Sequence, residues 1–137
     1  MALFSAFDIA GSGMSAQSLR LNTTSSNLAN AESVSSSVDS TYRARHPVFA
    51  AIMNARAQGQ ASTGVQVLGV VESQAPLRTA YAPDHPLADG EGYIHMPNVN
   101  VVEEMANMIS ASRSYQSNVE VVNTSKQLLL RTLALGQ

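Results

Sequence analysis

The sequence predicts a mainly α-helical fold in which long N- and C-terminal helices pair as a coiled coil and a short β-rich segment connects them. Heptad repeats of apolar residues run through both ends of the 137-residue chain. All five Pro and all three His lie in the middle, together with short alternating apolar stretches. A chain of this length forms one ordinary domain. We divide it into an N-terminal helix (1–30), a Ser-rich connector with a small β module (31–98) and a C-terminal helix (99–137).

The N-terminal segment carries the weaker heptad pattern. One track is formed by Phe7, Met14, Leu21 and Leu28, and a second by Leu3, Ala10, Gln17, Thr24 and Ala31. Gly11 and Gly13 interrupt the pattern, and each glycine costs about 1 kcal/mol relative to Ala inside a helix. We therefore expect a helix that is unfolded alone in water and becomes ordered against a partner.

The middle segment combines a connector with turn and strand signals. Five serines between positions 33 and 40 are typical of a mobile connector. Strand-like stretches follow at 48–53, 65–72, 77–82 and 92–95. Val65, Val67 and Val71 share one parity in the second stretch, which favours a half-buried strand with these side chains on one face.

The C-terminal segment has the strongest periodicity. One track is formed by Val101, Met108, Tyr115, Val122 and Leu129, and a second, four positions on, by Met105, Ser112, Val119, Lys126 and Leu133. Asn100 followed by Glu103 predicts a helix start near Val101, and Gly136 predicts its end. Such a helix measures about 50 Å, whereas a compact globule of this size has a radius of gyration of about 14 Å. The helix is therefore too long for a self-contained globule.

Composition excludes several classes of function. Eight Lys and Arg against ten Asp and Glu give a net charge of −2, so there is no basic excess for nucleic-acid binding. The absence of Cys excludes disulfides and thiolate zinc sites. With seven aromatic residues and no Trp, a large aromatic-lined pocket for a small-molecule substrate is not expected.

One cluster has the residue types of a metal site. His85, Asp89 and His95 are the residues a metal-dependent enzyme would use. Pro and Gly surround them, however, and Asp and His are common in turns for backbone reasons. The sequence also lacks a Gly-x-Ser-x-Gly motif and a glycine-rich phosphate loop. We therefore expect a turn, no cofactor and no enzymatic activity.

The helix faces indicate contacts with other subunits. Outside the heptad positions, the C-terminal helix carries mainly small uncharged side chains, and the C-terminal segment as a whole balances three acids with three bases. A solvent-exposed outer face normally carries Glu and Lys, so we favour burial against other chains over a solvated monomeric hairpin. The predicted assembly interface comprises Phe7, Met14, Leu21, Leu28, Met105, Met108, Tyr115, Val119, Val122 and Leu129. Contacts of this kind close into rings or propagate as filaments.

The sequence resembles the flagellar basal-body rod protein family over nearly its whole length. The resemblance rests on Ser26-Asn27-Leu28-Ala29-Asn30-Ala31, which matches an Asn-Leu-Ala-Asn motif of axial rod and hook proteins, on Asp84-His85-Pro86 and Gly92-Tyr93, and on Met96-Pro97-Asn98 continuing through residues 99–121. Two departures stand out. Ala82 and Leu87 replace acids that are usual in the family, and the connector lacks the usual Gly-Pro.

The resemblance implies a structural subunit of the proximal rod, which transmits motor torque across the periplasm. Implied partners are the chain itself, other rod proteins (FlgB-, FlgF- and FlgG-like), membrane-ring or adaptor proteins and the type III export apparatus. The sequence shows no cleavable signal peptide, in keeping with that export route. Two alternatives remain besides the metal-dependent enzyme: another short rod or junction protein of the same family, and a secreted helical adaptor.

Overall fold

A computed structural model describes residues 2–53 and 63–136, and its elements follow the predicted order. Helix α1 spans Ala2–Asn30 and helix α2 spans Val101–Leu135. The strands between them are β1 (Arg45–Met53), β2 (Thr63–Glu72), β3 (Arg78–Tyr81) and β4 (Tyr93–Met96). Each predicted helix and strand is thus confirmed. No helix within the described residues is both long enough and apolar enough to span a membrane.

The ends of α2 are fixed by the predicted capping residues. The side-chain oxygen of Asn100 accepts hydrogen bonds from the backbone N–H groups of Val102 (3.1 Å) and Glu103 (3.3 Å), satisfying donors that the first helical turn leaves unpaired. At the other end, the backbone N–H of Gly136 bonds to the carbonyl of Leu133. The helix therefore starts and stops where local sequence chemistry places its boundaries.

Strands β1 and β2 form an antiparallel ribbon, here called the long ribbon, with a bulge in its middle. Val48 pairs with Gly69 and Phe49 with Val67, so Leu68 is the extra residue. The bulge reverses the alternation of side chains between the two faces of β2. Val70, which pairs with Pro47, therefore shares a face with Val67.

One expectation for β2 is therefore wrong. Val71 pairs with His46 and lies on the opposite face from Val65 and Val67, because the extra residue reverses the alternation. Val65 and Val67 are exposed over 36% and 37% of their surface, whereas Leu68 reaches 63%.

The long ribbon is attached to α1 at opposite edges. Near the start of the ribbon, the outward-facing N–H and C=O of Arg45 in β1 both bond to the side chain of Asn27. Near the other end, the N–H of Val65 in β2 donates to the hydroxyl of Ser12 (3.0 Å). Side chains of α1 thus satisfy backbone groups that an unpaired strand edge leaves open, and the ribbon lies along α1 from Asn27 to Ser12.

Strands β3 and β4 form a short antiparallel ribbon that also holds the Ser-rich connector. Ser35 forms a two-bond backbone bridge with His95 of β4 (2.9 and 3.0 Å). The hydroxyl of Ser40 bonds to those of Ser35 and Ser37. The predicted mobile connector is therefore a hydrogen-bonded turn, since its serines bond to one another and to the nearby backbone.

Helices α1 and α2 pack side by side in antiparallel directions, at close range. Arg20 donates to the side chain of Asn107 (3.0 Å), and Gly13 lies against Asn118. The buried apolar residues of the described chain are mostly small: Ala10, Ala16, Ala31, Ala44, Ile94, Val99 and Ala111. Small side chains such as Ala10, Ala16 and Ala111 let the helix backbones approach closely.

The two α1 glycines provide a matched test of this close approach. A Cβ at Gly13 would lie 2.8 Å from the Asn118 amide nitrogen, whereas a Cβ at Gly11 meets nothing within 4 Å. We expect Gly11→Ala to raise the unfolding free energy by about 1 kcal/mol through helix propensity, and Gly13→Ala to give no such gain. Urea unfolding followed by far-UV circular dichroism measures both. Adding Asn118→Ala should restore the gain at position 13; equal gains from the two single variants would contradict the close contact.

Candidate assembly site

The side chain of Asn27 joins α1, the long ribbon and α2. It is fully buried. Its oxygen accepts hydrogen bonds from the hydroxyl of Tyr42 (2.8 Å) and the backbone N–H of Arg45 (2.9 Å). Its nitrogen donates to the carbonyl of Arg45 (2.8 Å) and to the carboxylate of Glu104 (3.1 Å). All four hydrogen bonds available to an amide side chain are thereby made.

The groups around Asn27 depend on it for burial. Glu104 is itself almost completely buried, and a buried carboxylate is costly unless it is hydrogen-bonded. The guanidinium carbon of Arg45 lies 5.4 Å from the centre of the Tyr42 ring, within range of a cation–π contact. A buried polar network whose members are satisfied fixes one arrangement of its elements. Asn27 therefore sets how the two helices and the ribbon meet.

A second set of polar contacts fixes the point where α1 ends and α2 begins. The guanidinium of Arg78 donates to the carbonyl of Ala31 (2.8 Å). The side-chain oxygen of Asn98 accepts from the N–H of Ala44 (2.8 Å), and its nitrogen donates to carbonyls in the loop 73–75. These bonds surround the small apolar cluster of Ala31, Ala44 and Val99. They hold both helix ends at one place.

The predicted interface residues fall into two groups. Half-buried positions are Phe7, Met14, Leu21 and Leu28 on α1, and Met108, Val119, Val122 and Leu129 on α2. Met105 and Tyr115 are exposed, Met105 over 53% of its surface. Within one chain, the half-buried group lies at or beside the helix contact, and the exposed pair lies outside it.

The face of α2 turned towards α1 is offset from the predicted second track. Its buried residues are Glu104, Ala111 and Ser125, each one position before a member of that track. Small or hydrogen-bonding side chains suit a contact as close as that of Gly13 with Asn118. Of the large apolar residues in the track, Met105 and Leu133 are exposed and available for contacts outside the chain, whereas Val119 is half-buried.

Apolar surface is concentrated at the two ends of α2. The first α2 patch consists of Val102, Met105 and Ile109, and the last α2 patch of Leu130, Leu133 and Leu135. Exposure reaches 77% at Val102 and 89% at Leu135. The long ribbon adds exposed Phe49, Val67, Leu68 and Val70. Grouped apolar exposure of this kind marks interaction surfaces.

The cluster from Asp84 to His95 is used for turn structure. One carboxylate oxygen of Asp89 accepts from the N–H groups of Glu91 and Tyr93, both at 2.9 Å. The other lies 3.3 Å from Nε2 of His95. The pKa of Asp89 is lowered below its ordinary value of 3.8, mainly by the hydrogen bond from the backbone N–H of Tyr93. The backbone N–H of Glu91 and the ring of His95 lower it further.

The ring of His85 takes part in a different hydrogen bond. Its Nδ1 accepts from the backbone N–H of Leu87 (3.1 Å), inside the same turn. Across the two described ranges, no group of three His, Cys, Asp or Glu side chains is placed to hold a metal ion. Gly92, at φ +84°, closes the turn in a conformation that favours glycine.

The sequence reasoning did not identify Asn27, Glu104 and Asn98 as site residues. Asn27 and Asn98 occur in motifs that carry the family resemblance, but their partners come from distant segments of the chain. Glu104 lies one position before Met105, the first member of the predicted second track, so the predicted heptad did not mark it as buried.

Two asparagines of α1 allow a test of the network. Asn27→Ala leaves the Glu104 carboxylate and the backbone N–H and C=O of Arg45 without their partner, and leaves the Tyr42 hydroxyl with Ser26 alone. Since each unpaired buried group costs about 1–3 kcal/mol, we expect the unfolding free energy to fall by about 3 kcal/mol. Asn30→Ala removes a single bond to the carbonyl of Ser26 and should cost about 1 kcal/mol or less. Urea unfolding compares them, and similar losses would rule out a special role for Asn27.

Asp89 should contribute to acid stability. Because its pKa is lowered in the folded chain, its contribution is complete above pH 3.8 and is lost as the pH falls through the lowered value. Asp89→Asn should therefore lose less stability on acidification than the unmodified chain. Thermal melts between neutral and acidic pH measure this. Asp84→Asn, on the same turn, is the control, and an unchanged acid response in Asp89→Asn would contradict the assignment.

Comparison with known proteins identifies the family. Residues 7–34 match the model of the flagella basal body rod protein family, and residues 91–135 match that of the flagellar basal body rod FlgEFG protein C-terminal region. Proteins named flagellar basal-body rod protein FlgC are 56% identical in Salmonella typhimurium and 58% identical in Escherichia coli O6:H1, with full coverage of both chains. The Borreliella burgdorferi FlgC is 36% identical, with 100% of this chain and 99% of the relative covered. The chain therefore belongs to the FlgC family of flagellar basal-body rod proteins.

Proposed function

We propose that this chain is a structural subunit of the flagellar basal-body rod that assembles helically with copies of itself and with other rod proteins. The observation that carries the proposal is 56–58% identity to FlgC proteins over the full length of the chain. The packing gives the proposal a physical basis, because the fully buried apolar residues are mostly small while large ones such as Met105 and Leu133 are exposed. The chain acts by transmitting force through contacts and not by catalysis.

The large outward-facing residues supply the driving force for assembly. Burying apolar surface stabilises a contact by about 25 cal/mol per Å², and the α2 patches and the long ribbon offer such surface. The two helices pair within the subunit as an antiparallel coiled coil. Their remaining faces become buried between subunits, so the rod wall completes a core that one chain leaves unfinished.

The location and partners follow from the same role. The subunit sits in the proximal rod, which crosses the periplasm, and contacts FlgB-, FlgF- and FlgG-like rod proteins and membrane-ring or adaptor proteins. It travels through the type III export apparatus as an unfolded chain. Gly11 and Gly13 support this route, because they weaken α1 until α2 and neighbouring subunits hold it.

The role is tested in a deletion strain of the source bacterium. Restoring the gene should restore swimming, and isolated basal bodies should contain the chain. Motility and rods that are normal without the gene would refute the proposal. A monomer that is rigid and fully helical at micromolar concentration would instead favour an adaptor.

Polar substitutions at half-buried interface positions should block incorporation. Leu21→Asp and Val119→Asp each place a charge where the apolar face must be desolvated, so we expect at least a tenfold loss of the chain from purified basal bodies and loss of swimming. Immunoblots of basal bodies and soft-agar motility measure both. Leu21→Met and Val119→Ile, which keep an apolar side chain of similar size at the same positions, are the matched controls. Normal assembly of Leu21→Asp or Val119→Asp would show that the interface assignment is wrong.

A further inference from the structure

One turn of α1 is in close contact with two other elements. Ser12 lies between Gly11 and Gly13, and glycine weakens a helix at both positions. A Cβ at Gly13 would lie 2.8 Å from the side chain of Asn118 in α2. A Cβ at Gly64 in β2 would lie 3.2 Å from the Ser12 hydroxyl. The turn that glycine weakens is therefore packed closely against both α2 and β2.

The polar part of the contact with β2 depends on one hydroxyl group. The Oγ of Ser12 donates to the carbonyl of Ile9 inside α1 (2.8 Å) and accepts from the backbone N–H of Val65 (3.0 Å). Both hydrogen bonds are exposed to solvent, so water replaces either partner without leaving a buried group unpaired. We call the contact of Ser12 with Gly64 and Val65 the Ser12 clasp. It opens at a low cost in free energy.

The second half of α1 is held by buried bonds. Asn27 is fully buried, and its four hydrogen bonds include one to Glu104 of α2 and two to the backbone of Arg45 in β1. Opening this network leaves buried polar groups unpaired, which costs more free energy than exposing the hydroxyl of Ser12. Segments held by few buried contacts open more readily than well-buried ones. The turn around Ser12 therefore opens more readily than the second half of the helix.

We propose that the Ser12 clasp is a conformational switch that controls the order of the first half of α1. When the clasp is closed, the start of β2 holds residues 6–14 in the helix. When it opens, these residues unfold locally while residues 16–30 keep their contacts. Any contact that displaces the start of β2 therefore destabilises the first half of α1, and ordering of this half draws β2 onto the helix, because energetic coupling is reciprocal. This inference concerns the single chain and goes beyond the proposed function.

Hydrogen exchange of the purified full-length chain tests the switch through Ser12→Ala. Ala forms helices better than Ser, so a helix independent of β2 would exchange its amide protons more slowly in this variant. Loss of the clasp should instead speed the exchange of amides 6–14 about threefold or more and leave amides 16–30 unchanged. Amides before residue 6 are not compared, because the first four N–H groups of a helix have no acceptor within it.

Ser18→Ala is the matched control, because Ser18 is an exposed serine of the same helix, and it should not speed exchange. Three results for Ser12→Ala would overturn the proposal: unchanged or slower exchange of amides 6–14, an equal acceleration of amides 16–30, and a lack of protection throughout α1.

A disulfide across the clasp supplies the opposite perturbation. A Cβ at Gly64 would lie 3.7 Å from the Cβ of Ser12, which is within the range of disulfide geometry, and the chain contains no cysteine of its own. Oxidised Ser12→Cys/Gly64→Cys should therefore form an intramolecular bond and exchange amides 6–14 at least tenfold more slowly than the same variant after reduction. Ser12→Cys/Gly69→Cys is the control and should stay reduced at low protein concentration, because a Cβ at Gly69 meets no atom within 4 Å. Failure of the first pair to form the bond, or a bond that leaves exchange unchanged, would contradict the proposal.

Discussion

The buried amide of Asn27 is the contact on which the arrangement of the other elements depends. The long ribbon packs on α1 and, among the described elements, not on α2. The side chain of Asn27 bonds both to Glu104 of α2 and to Arg45, the first residue of β1. It therefore fixes the position of α2 relative to the start of the ribbon. Because both helices and the ribbon contribute to one satisfied network, moving any of them leaves a buried polar group unpaired, at a cost comparable to a sizeable part of a domain's stability.

The close helix contact explains where the apolar surface lies. Gly13, Ala111 and Ser125 leave little space between α1 and α2. On α2, Met108, Val119 and Val122 are half-buried, while Val102, Met105 and Leu133 lie towards solvent or towards another chain. In a finished monomer such an arrangement would be unfavourable, since exposed Leu and Val gain nothing from folding. In an assembly the same arrangement is favourable, because the close packing of α1 on α2 stabilises the subunit and the exposed apolar side chains stabilise contacts between subunits.

Sequence patterns predicted the elements well because helix periodicity, capping and turn signals are local. Asn100 and Gly136 marked the ends of α2, and Pro and Gly marked the loops around β3 and β4. Features set by distant partners were not predicted. The buried face of α2 lies one position before the predicted second track, because the close approach of α2 to Gly13 favours small side chains over large ones. The bulge at Leu68 reflects pairing with β1, which no pattern within β2 reveals.

The site was partly predictable for the same reason. A heptad pattern marks apolar positions, but it does not distinguish those that contact the partner helix from those that contact another chain. Met105 and Val119 belong to one predicted track, yet Met105 is exposed and Val119 is half-buried. The residues that orient the elements, such as Asn27, are polar and rely on contacts with segments up to 77 positions away. Only the folded chain brings these partners together.

Gly13 shows how the folding of α1 and its packing are coupled. Glycine weakens a helix because it gains more conformational freedom when unfolded, so position 13 reduces the stability of α1 alone. The same missing side chain allows the approach of Asn118. A larger residue would strengthen the isolated helix and obstruct its partner. Natural selection for a helix that becomes ordered only when α2 is beside it would favour Gly13. Gly11, where a Cβ would meet no neighbour, lowers the stability of the isolated helix without allowing any closer packing. The instability of α1 in isolation and its close fit to α2 therefore have one structural origin.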